Sequence, residues 1–413
     1  MNRPMQTLAF DPTDAQNARL ELPITAAVFA LYGEHGEPYV GRTPNLRARL
    51  RRLLQPSPQH PRRLQLAGLV RRIEWQQTGS EFESLLVQFA LLETVFGAKA
   101  LERMHLKAPA FVRYLGSNRY PRLTVTHRPH QREQGWAYGP FASNAAAERY
   151  AEEVLKLFLL RRCTEDLEPA PDHPGCVYGE MKMCLAPCQI HCTDEHYGEE
   201  SAAVEQFLAK RGEARLGELR TEREQASAQL DFERAAALHA QVQRVEGVVT
   251  LAAELVRPLN NLRAVVLQAS TEPEAVSVFL FEGGLWRGPV DFSTLGMRIQ
   301  NEHSGSTSLF AHPIAIAPVP EAPADAPVRV ARDVLEARIE SSMAALTQSA
   351  PTASATLKQG HLALLTRWYY RALTRRQGEV FFADDEGNWP LRAMVRGVGR
   401  VAASSHGIQT PPI

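Results

Sequence analysis

The sequence lacks net charge, long apolar runs and scattered cysteines. Its 413 residues include 46 Lys plus Arg and 46 Asp plus Glu, so the formal net charge is zero. A charged binding surface can therefore arise only from local segregation of charge. No apolar run approaches the ~20 residues that span a bilayer, and the N-terminus has neither a basic leader nor an apolar signal core. We therefore expect a soluble cytoplasmic protein with no membrane partner.

Cysteine is scarce and confined to one stretch. The five cysteines all lie between Cys163 and Cys192. So few cysteines in so long a chain do not make a disulfide scaffold. Their clustering in a reducing compartment indicates a metal site instead.

Charge is strongly segregated along the chain. Nine arginines and no acid lie from Arg42 to Arg72, whereas acids dominate Asp194 to Glu224. This pattern predicts a polyanion-binding surface in the N-terminal part. There Tyr39 could hold a water molecule while Arg42 and Arg49 neutralise phosphate charge. In the plainer interpretation, these side chains are only a strand edge and a solvated helix face.

The first hundred residues alternate between strand and helix patterns. Ala26–Tyr32 and the short PYVG segment predict a hairpin, and Thr43 with Pro44 opens a helix with a leucine stripe. Leu69–Trp75 predicts a third strand, and Ser80 with Glu83 makes a capping box that begins a second helix. Residues 1–20 show no periodicity, so we expect a partly ordered lead-in. The order predicts an α/β module with a small sheet covered by helices.

Residues 201–250 predict an antiparallel helical hairpin with a break near Leu230 and Asp231. After Pro258 the pattern changes to alternating apolar segments, which predict a mixed α+β domain. Within that domain RWYYR, residues 367–371, mixes aromatic and basic groups as a single-strand binder does. An amphipathic helix with its aromatic rings in the core is the favoured interpretation.

The segment AAVFALYGEHGEPYVGRTPNLRARL resembles the GIY-YIG nuclease domain of the UvrC excinuclease family, which makes the incisions in bacterial nucleotide excision repair. GPFASNAAAERYAEEVLKLFLLRRC, MKMCLAPC and LDFERAAALHAQV resemble further landmarks in the family's order. The resemblance implies a GIY-YIG-like domain at 20–115, a cysteine-rich segment at 116–200, a UVR-like hairpin at 201–250 and a C-terminal domain at 255–413. We expect the family's RNase H-like and helix-hairpin-helix half to be missing.

The resemblance implies a catalytic site that is only half present. Tyr39 would handle the water nucleophile, Arg42 would contact phosphate and Arg49 would assist the transition state, with Mg²⁺ or Mn²⁺ as the metal. The family's other tyrosine falls on Phe29, which has no hydroxyl. Its metal-binding glutamate falls on Gln88, a neutral amide that suits a hard cation poorly. The family also has an asparagine at a position that falls near Val112 in this chain. Three further arginines, Arg47, Arg51 and Arg52, are DNA-binding candidates.

Three interpretations of this site follow. The favoured one is a domain that binds DNA without cutting it. The alternative is an active metal-dependent, structure-specific endonuclease that makes one incision beside a lesion, with Glu81, Glu83 or Glu93 in place of the missing carboxylate. Of these only Glu81 shares the helical face of Gln88. The third is that the arginines have no binding role.

The resemblance also implies a cofactor and a partner. The cofactor is a [4Fe–4S] cluster on Cys163, Cys176, Cys184 and Cys188, which are separated by 12, 7 and 3 residues; zinc suits four thiolates equally well. Cys192 is spare or an alternate ligand. The partner is a UvrB-type helicase, docked through a patch made of Phe232, Glu233, Arg234 and Ala235. Packing of the hairpin against the C-terminal domain is the alternative.

Overall fold

The computed structural model describes residues 3–11, 22–54, 66, 68–129, 135–297, 330–348 and 354–406. In that part of the chain the strands form three four-stranded sheets, and every strand pair is antiparallel. Helices cover these sheets, so the expected mixed α/β class is confirmed.

The first sheet has the strand order β1-β4-β2-β3. Its strands are β1 (Gln6–Ala9), β2 (Ala27–Gly33), β3 (Tyr39–Thr43) and β4 (Val70–Gln77), and its helices are α1 (Leu46–Leu54), α2 (Glu81–Phe96) and α3 (Lys99–Arg103). The predicted sequence of strand, strand, helix, strand and helix is confirmed. Strand β1 was missed, because four residues at a sheet edge leave too little periodicity to detect.

The second sheet, β6-β5-β7-β8, supports the cysteine-rich segment and the hairpin. Its elements are β5 (Ala110–Tyr114), β6 (Leu123–Thr126), β7 (Trp136–Phe141), α4 (Asn144–Leu157), α5 (Val177–Glu180), α6 (Asp194–Ala209), α7 (Glu213–Ala228), α8 (Phe232–Val249) and β8 (Arg257–Pro258). Helices α7 and α8 form the predicted hairpin. Its break lies where expected: Leu230 has a φ of 59°, and the Asp231 carboxylate caps α8 by accepting from the Arg234 amide at 3.0 Å.

The third sheet, β11-β10-β9-β12, forms the C-terminal domain. Its elements are β9 (Ala264–Ala269), β10 (Ala275–Glu282), β11 (Leu285–Ser293), α9 (Arg332–Thr347), α10 (Ala355–Tyr369), β12 (Glu379–Phe382) and α11 (Leu391–His406). Alternate residues of β9 face opposite sides: Val265 and Leu267 pack with α9 and α11, whereas Ala264 and Val266 pack with α10 and α2. The first and third sheets therefore share helix α2.

Helix α2 is apolar on most of its circumference because it is covered by two sheets. Its Phe82 ring lies 5.3 Å from Phe279, 5.0 Å from Trp286 and 5.2 Å from Trp368, measured between centroids. Trp368 is 2% exposed, which confirms that this aromatic ring of α10 belongs to the core. The N-terminal module, built on the first sheet, is thus packed directly against the C-terminal domain.

Candidate nucleic-acid site and cysteine cluster

Tyr39 and Arg49 meet on one face of the first sheet. Leu46, Leu50, Leu53 and Leu54 bury one side of α1 against that sheet. This packing directs the side chain of Arg49 toward β3, where its Nη2 donates to the Tyr39 hydroxyl at 3.1 Å. The tyrosine and the arginine expected to act together are therefore in direct contact.

Phe29 is the residue on which the sequence resemblance places the family's other tyrosine. It pairs with Gly41 across β2 and β3, it is fully buried, and its ring centroid lies 6.1 Å from that of Tyr39. A Cβ added at Gly41 would lie 2.8 Å from the Cζ atom of Phe29, so glycine makes room for this ring. The aromatic shape of the site is kept, but the hydroxyl is lost.

Arg42 lies on the opposite face of β3 and forms an ion pair with Glu81. Because side chains alternate along a strand, Tyr39 and Arg42 point to opposite faces. Arg42 Nη1 lies 3.1 Å from Glu81 Oε1 at the start of α2. Among the described strands β3 is at the edge of its sheet, so both pairs, Tyr39 with Arg49 and Arg42 with Glu81, lie along the same edge.

Glu81 is held by a second arginine from the C-terminal domain. Arg371, just after α10, donates from Nη1 to Oε2 at 2.8 Å and from Nη2 to Oε1 at 3.1 Å. Hydrogen bonding to Arg371, reinforced by Arg42, lowers the pKa of Glu81 below its usual value. The RWYYR segment, which ends at Arg371, was noted for its mix of aromatic and basic groups, but its contact with Glu81, 290 residues away, was not predicted.

The other candidate carboxylates are engaged in structural contacts. Glu83 is fully buried. Ser80 Oγ accepts from the Glu83 amide as the capping box predicts, but Glu83 Oε2 accepts at 2.7 Å from the amide of Gly79, the residue before the N-cap. Burial raises the pKa of Glu83. Glu93 accepts from the Ser354 hydroxyl at 2.9 Å. Glu81 is therefore the one of these three carboxylates that lies at the arginine site.

Gln88 lies on the same face of α2 as Glu81, as its seven-residue offset requires. It is half-buried. Ser84, one turn earlier on that face, lines a cavity of about 480 Å³ together with Ala26, Arg42, Thr43, Pro44 and Glu81. Val112 lies in β5 of the second sheet and is fully buried, so it belongs to a different layer.

The remaining arginines of α1 divide into two kinds. Arg47 Nε donates to the Leu22 carbonyl at 2.6 Å, which ties α1 to the chain before β2. Arg51 and Arg52 are exposed in the last turn of α1. Of the predicted set of three, these two present exposed charge to an approaching polyanion.

Three of the four spaced cysteines lie around α5: Cys176 precedes its first residue, and Cys184 and Cys188 follow it, whereas Cys163 lies earlier in the chain. None is in a disulfide. Burial, together with the neighbouring thiols of Cys163, Cys176 and Cys188, raises the pKa of Cys184 to about 11. Cys184 Sγ also accepts from the Ala186 amide at 3.3 Å. Among the described residues, no group of three or more histidine, cysteine or acidic side chains is arranged as a metal-ligand set.

The backbone around these cysteines is strained and thinly packed. Lys182, Ala186 and Ile190 have φ values of 54°, 48° and 56°, which are unfavourable for residues with a Cβ. Val177, Met181 and Ile190 are more than half exposed, at 55%, 63% and 54%. Such a loop persists only where something else fixes it.

The hairpin buries its base and exposes its tip. Leu238, Val242, Val245 and Val248 of α8 pack into the core of the second sheet, not against the C-terminal domain. At the tip Leu230 is 72% exposed and Phe232 is 66% exposed. Glu233 and Arg234 are also exposed, and Ala235 is half-buried. The apolar tip is therefore available to a partner.

Two protein-family models match this chain. The model described as "UvrC/Cho excinuclease, middle domain" matches residues 111–207, and the one described as "UvrB/uvrC motif" matches residues 213–248. The first match begins in β5 and ends in α6, and the second coincides with α7 and α8. The chain is a UvrC-like protein.

Curated relatives of this UvrC-like chain bear the name UvrABC system protein C. Those from Alcanivorax borkumensis and Idiomarina loihiensis are 30% and 31% identical over 53% and 52% of this chain. The protein from Ruminiclostridium cellulolyticum is 26% identical over 66% of it. The matches cover 36%, 35% and 44% of the relatives' own lengths, so the chain spans well under half of them. No solved structure matches.

The UvrC-like middle segment contains the whole cysteine cluster, since Cys163, Cys176, Cys184 and Cys188 all lie within residues 111–207. The Tyr39–Arg49 and Arg42–Glu81 pairs precede it. Within the described residues, no helix combines the length and apolar character that a membrane crossing needs.

Proposed function

We propose that this UvrC-like protein is a component of nucleotide excision repair that binds DNA and a UvrB-type partner but does not incise. The observation that carries the proposal is the buried Phe29 ring beside Tyr39, at 0% exposure and paired with Gly41. The site keeps the aromatic packing and the arginines of a nuclease. It lacks a second hydroxyl to position or activate water.

The capacity of the site to bind a metal ion is weakened as well. Gln88 offers a neutral oxygen, and Glu81, the carboxylate on the same helix face, is held by Arg371 and Arg42. Divalent Mg²⁺ dehydrates reluctantly and depends on anionic ligands. A carboxylate already paired with two guanidinium groups is a poor anchor for it. The arginines can still neutralise backbone phosphates.

An active structure-specific endonuclease is the second candidate. It is favoured by the intact Tyr39–Arg49 contact of 3.1 Å and by the position of Glu81 beside Arg42. In that case Glu81 would leave Arg371 and take over the metal-binding role of the missing glutamate.

Restoring the missing groups distinguishes these candidates. If their loss is what silences the site, the double variant Phe29→Tyr, Gln88→Glu should gain metal-dependent nicking of a lesion-bearing duplex. A positioned acid or base contributes about 10²- to 10⁴-fold, so a gain of at least about 100-fold over the parent is expected. Nicking would be followed on denaturing gels with Mg²⁺ or Mn²⁺, with each single variant as the control. A double variant as inert as the parent would reject this explanation.

The hairpin tip is proposed as the docking site for a UvrB-type hairpin. An aromatic side chain that is 66% exposed at the end of two helices is the kind of residue that anchors an interface. Phe232→Ala should weaken binding at least about tenfold, as loss of a central anchor does. Binding would be measured by calorimetry with a UvrB-type protein.

Leu373→Ala is the matched control for docking, because Leu373 is 76% exposed but lies in the C-terminal domain. It should bind like the parent. Charge reversal at Glu233 and Arg234 should also weaken docking. Unchanged binding in both the Phe232 and the charge-reversal variants would remove the hairpin tip from the interface.

The cysteines are proposed to hold an iron–sulfur cluster, with zinc as the alternative occupant. The chemistry of the side chains supports this: four free thiols fall between Cys163 and Cys188, and the Ala186 amide donates to Cys184 Sγ. When bound, the group would crosslink a segment with little core of its own. Arg161, whose Nη1 lies 3.8 Å from Cys163 Sγ, would help balance thiolate charge.

A further inference from the structure

Two arginines from distant parts of the chain share one carboxylate. Arg42 comes from the edge strand β3, and Arg371 follows α10 in the C-terminal domain. Their guanidinium groups reach the same Glu81 at 3.1 Å and 2.8 Å. Two positive groups on one negative group leave a local excess of one positive charge.

The position of Arg371 is fixed by the packing of α10. Trp368 of that helix is buried against Phe82, the neighbour of Glu81 on α2. Two turns earlier in α10, Gly360 lets the ring of Phe89 approach closely. A Cβ added at Gly360 would lie 1.9 Å from the Cζ atom of Phe89. The packing of α10 on α2 thus brings Arg371, two residues past the end of α10, to the start of α2.

The arrangement is accessible to solvent. The side chains of Arg42, Arg371 and Glu81 are 36%, 24% and 44% exposed. Arg42 and Glu81 also line the cavity of about 480 Å³ at the β3 edge. A ligand can therefore reach both guanidinium groups without local unfolding.

We propose that Arg42 and Arg371 form a clamp for one phosphodiester of a DNA backbone, with Glu81 as the internal anion that holds the clamp in place when DNA is absent. The inference rests on the proposed DNA binding and adds Arg371 to it. The two non-bridging oxygens of a phosphodiester match the fork of a guanidinium group as a carboxylate does. Glu81, paired with Arg371 through both oxygens, occupies the place that the phosphate would take.

Substitution of Arg371 and substitution of Glu81 should change DNA affinity in opposite directions. At about 0.1 M salt, Arg371→Gln should weaken binding of a fluorescein-labelled duplex about five- to tenfold, because one phosphate contact is lost. The slope of log affinity against log salt should fall by about 0.9. Glu81→Gln should instead tighten binding, because the competing anion is removed. Fluorescence anisotropy across a salt series measures both affinity changes and the salt slope.

Arg338→Gln is the matched control. Arg338 is exposed on α9, which packs on the other face of the third sheet from α10. It should bind DNA like the parent, and thermal unfolding should show that each variant is folded. The clamp is rejected if the parent binds DNA but Arg371→Gln matches Arg338→Gln, or if Glu81→Gln weakens binding. If the parent itself fails to bind DNA at low salt, the proposed DNA binding fails and the clamp fails with it.

Discussion

Gly360→Ala is expected to lower the free energy of unfolding by about 2–3 kcal/mol, in spite of the better helix propensity of alanine. The added Cβ would lie 1.9 Å from the Cζ atom of Phe89 and 2.2 Å from Cε1. Phe89 is fully buried, so its ring cannot move aside without shifting α2. The change should be visible as a lower midpoint in thermal unfolding followed by circular dichroism.

Two variants make the result specific. Gly217→Ala is the matched control: Gly217 lies in α7 with no other atom within 4 Å of its added Cβ, so the change should stabilise the protein slightly, by up to about 1 kcal/mol. Phe89→Leu, combined with Gly360→Ala, should recover part of the lost stability. If Gly360→Ala unfolds no earlier than Gly217→Ala, the close contact between α10 and α2 is wrong.

Cys184→Ser is expected to remove the proposed metal and to loosen the segment from Arg161 to Cys192. Substitution of a residue that only hydrogen-bonds to a metal ligand lowers metal affinity by about 10- to 100-fold. Substitution of a ligand itself should therefore lower the metal content at least about tenfold. Because this segment has few buried side chains, it should then become an early site of limited proteolysis. Iron, sulfide and zinc analysis of anaerobically purified protein measures the first effect.

Cys192→Ser distinguishes a spare cysteine from an alternate ligand. Cys192 packs against the core of the second sheet, so its substitution should leave metal content and proteolysis unchanged. Near-equal iron and sulfide in the parent would support an iron–sulfur cluster, whereas stoichiometric zinc without sulfide would replace it by zinc. Metal-free parent protein with the same proteolysis pattern as Cys184→Ser would contradict a metal role for these cysteines.

Local patterns predicted most of the N-terminal module and the hairpin. The leucine stripe of α1 identified the helix that brings Arg49 to Tyr39, because a 3.6-residue period depends only on nearby residues. The Ser80–Glu83 capping box and the break at Leu230 were found for the same reason. These features require no knowledge of distant contacts.

The contacts that complete the site join residues that are far apart in the sequence. Arg371 reaches Glu81 across 290 residues, through the packing of α10 on α2. The RWYYR segment indicated at most a single-strand binder and gave no sign of a contact with Glu81, because that contact depends on how the third sheet covers α2. Likewise, Arg47 was predicted to bind DNA. In the structure its Nε donates to the Leu22 carbonyl, a contact that no local sequence pattern indicates.

The central claim is that the β3 edge binds DNA and leaves it intact. It is tested most directly by following binding and incision together on one lesion-bearing duplex, with Mg²⁺ or Mn²⁺ and a UvrB-type partner. The expected result is a salt-sensitive complex with both strands uncut. A metal-dependent nick by the parent protein, abolished by Tyr39→Phe, would contradict it.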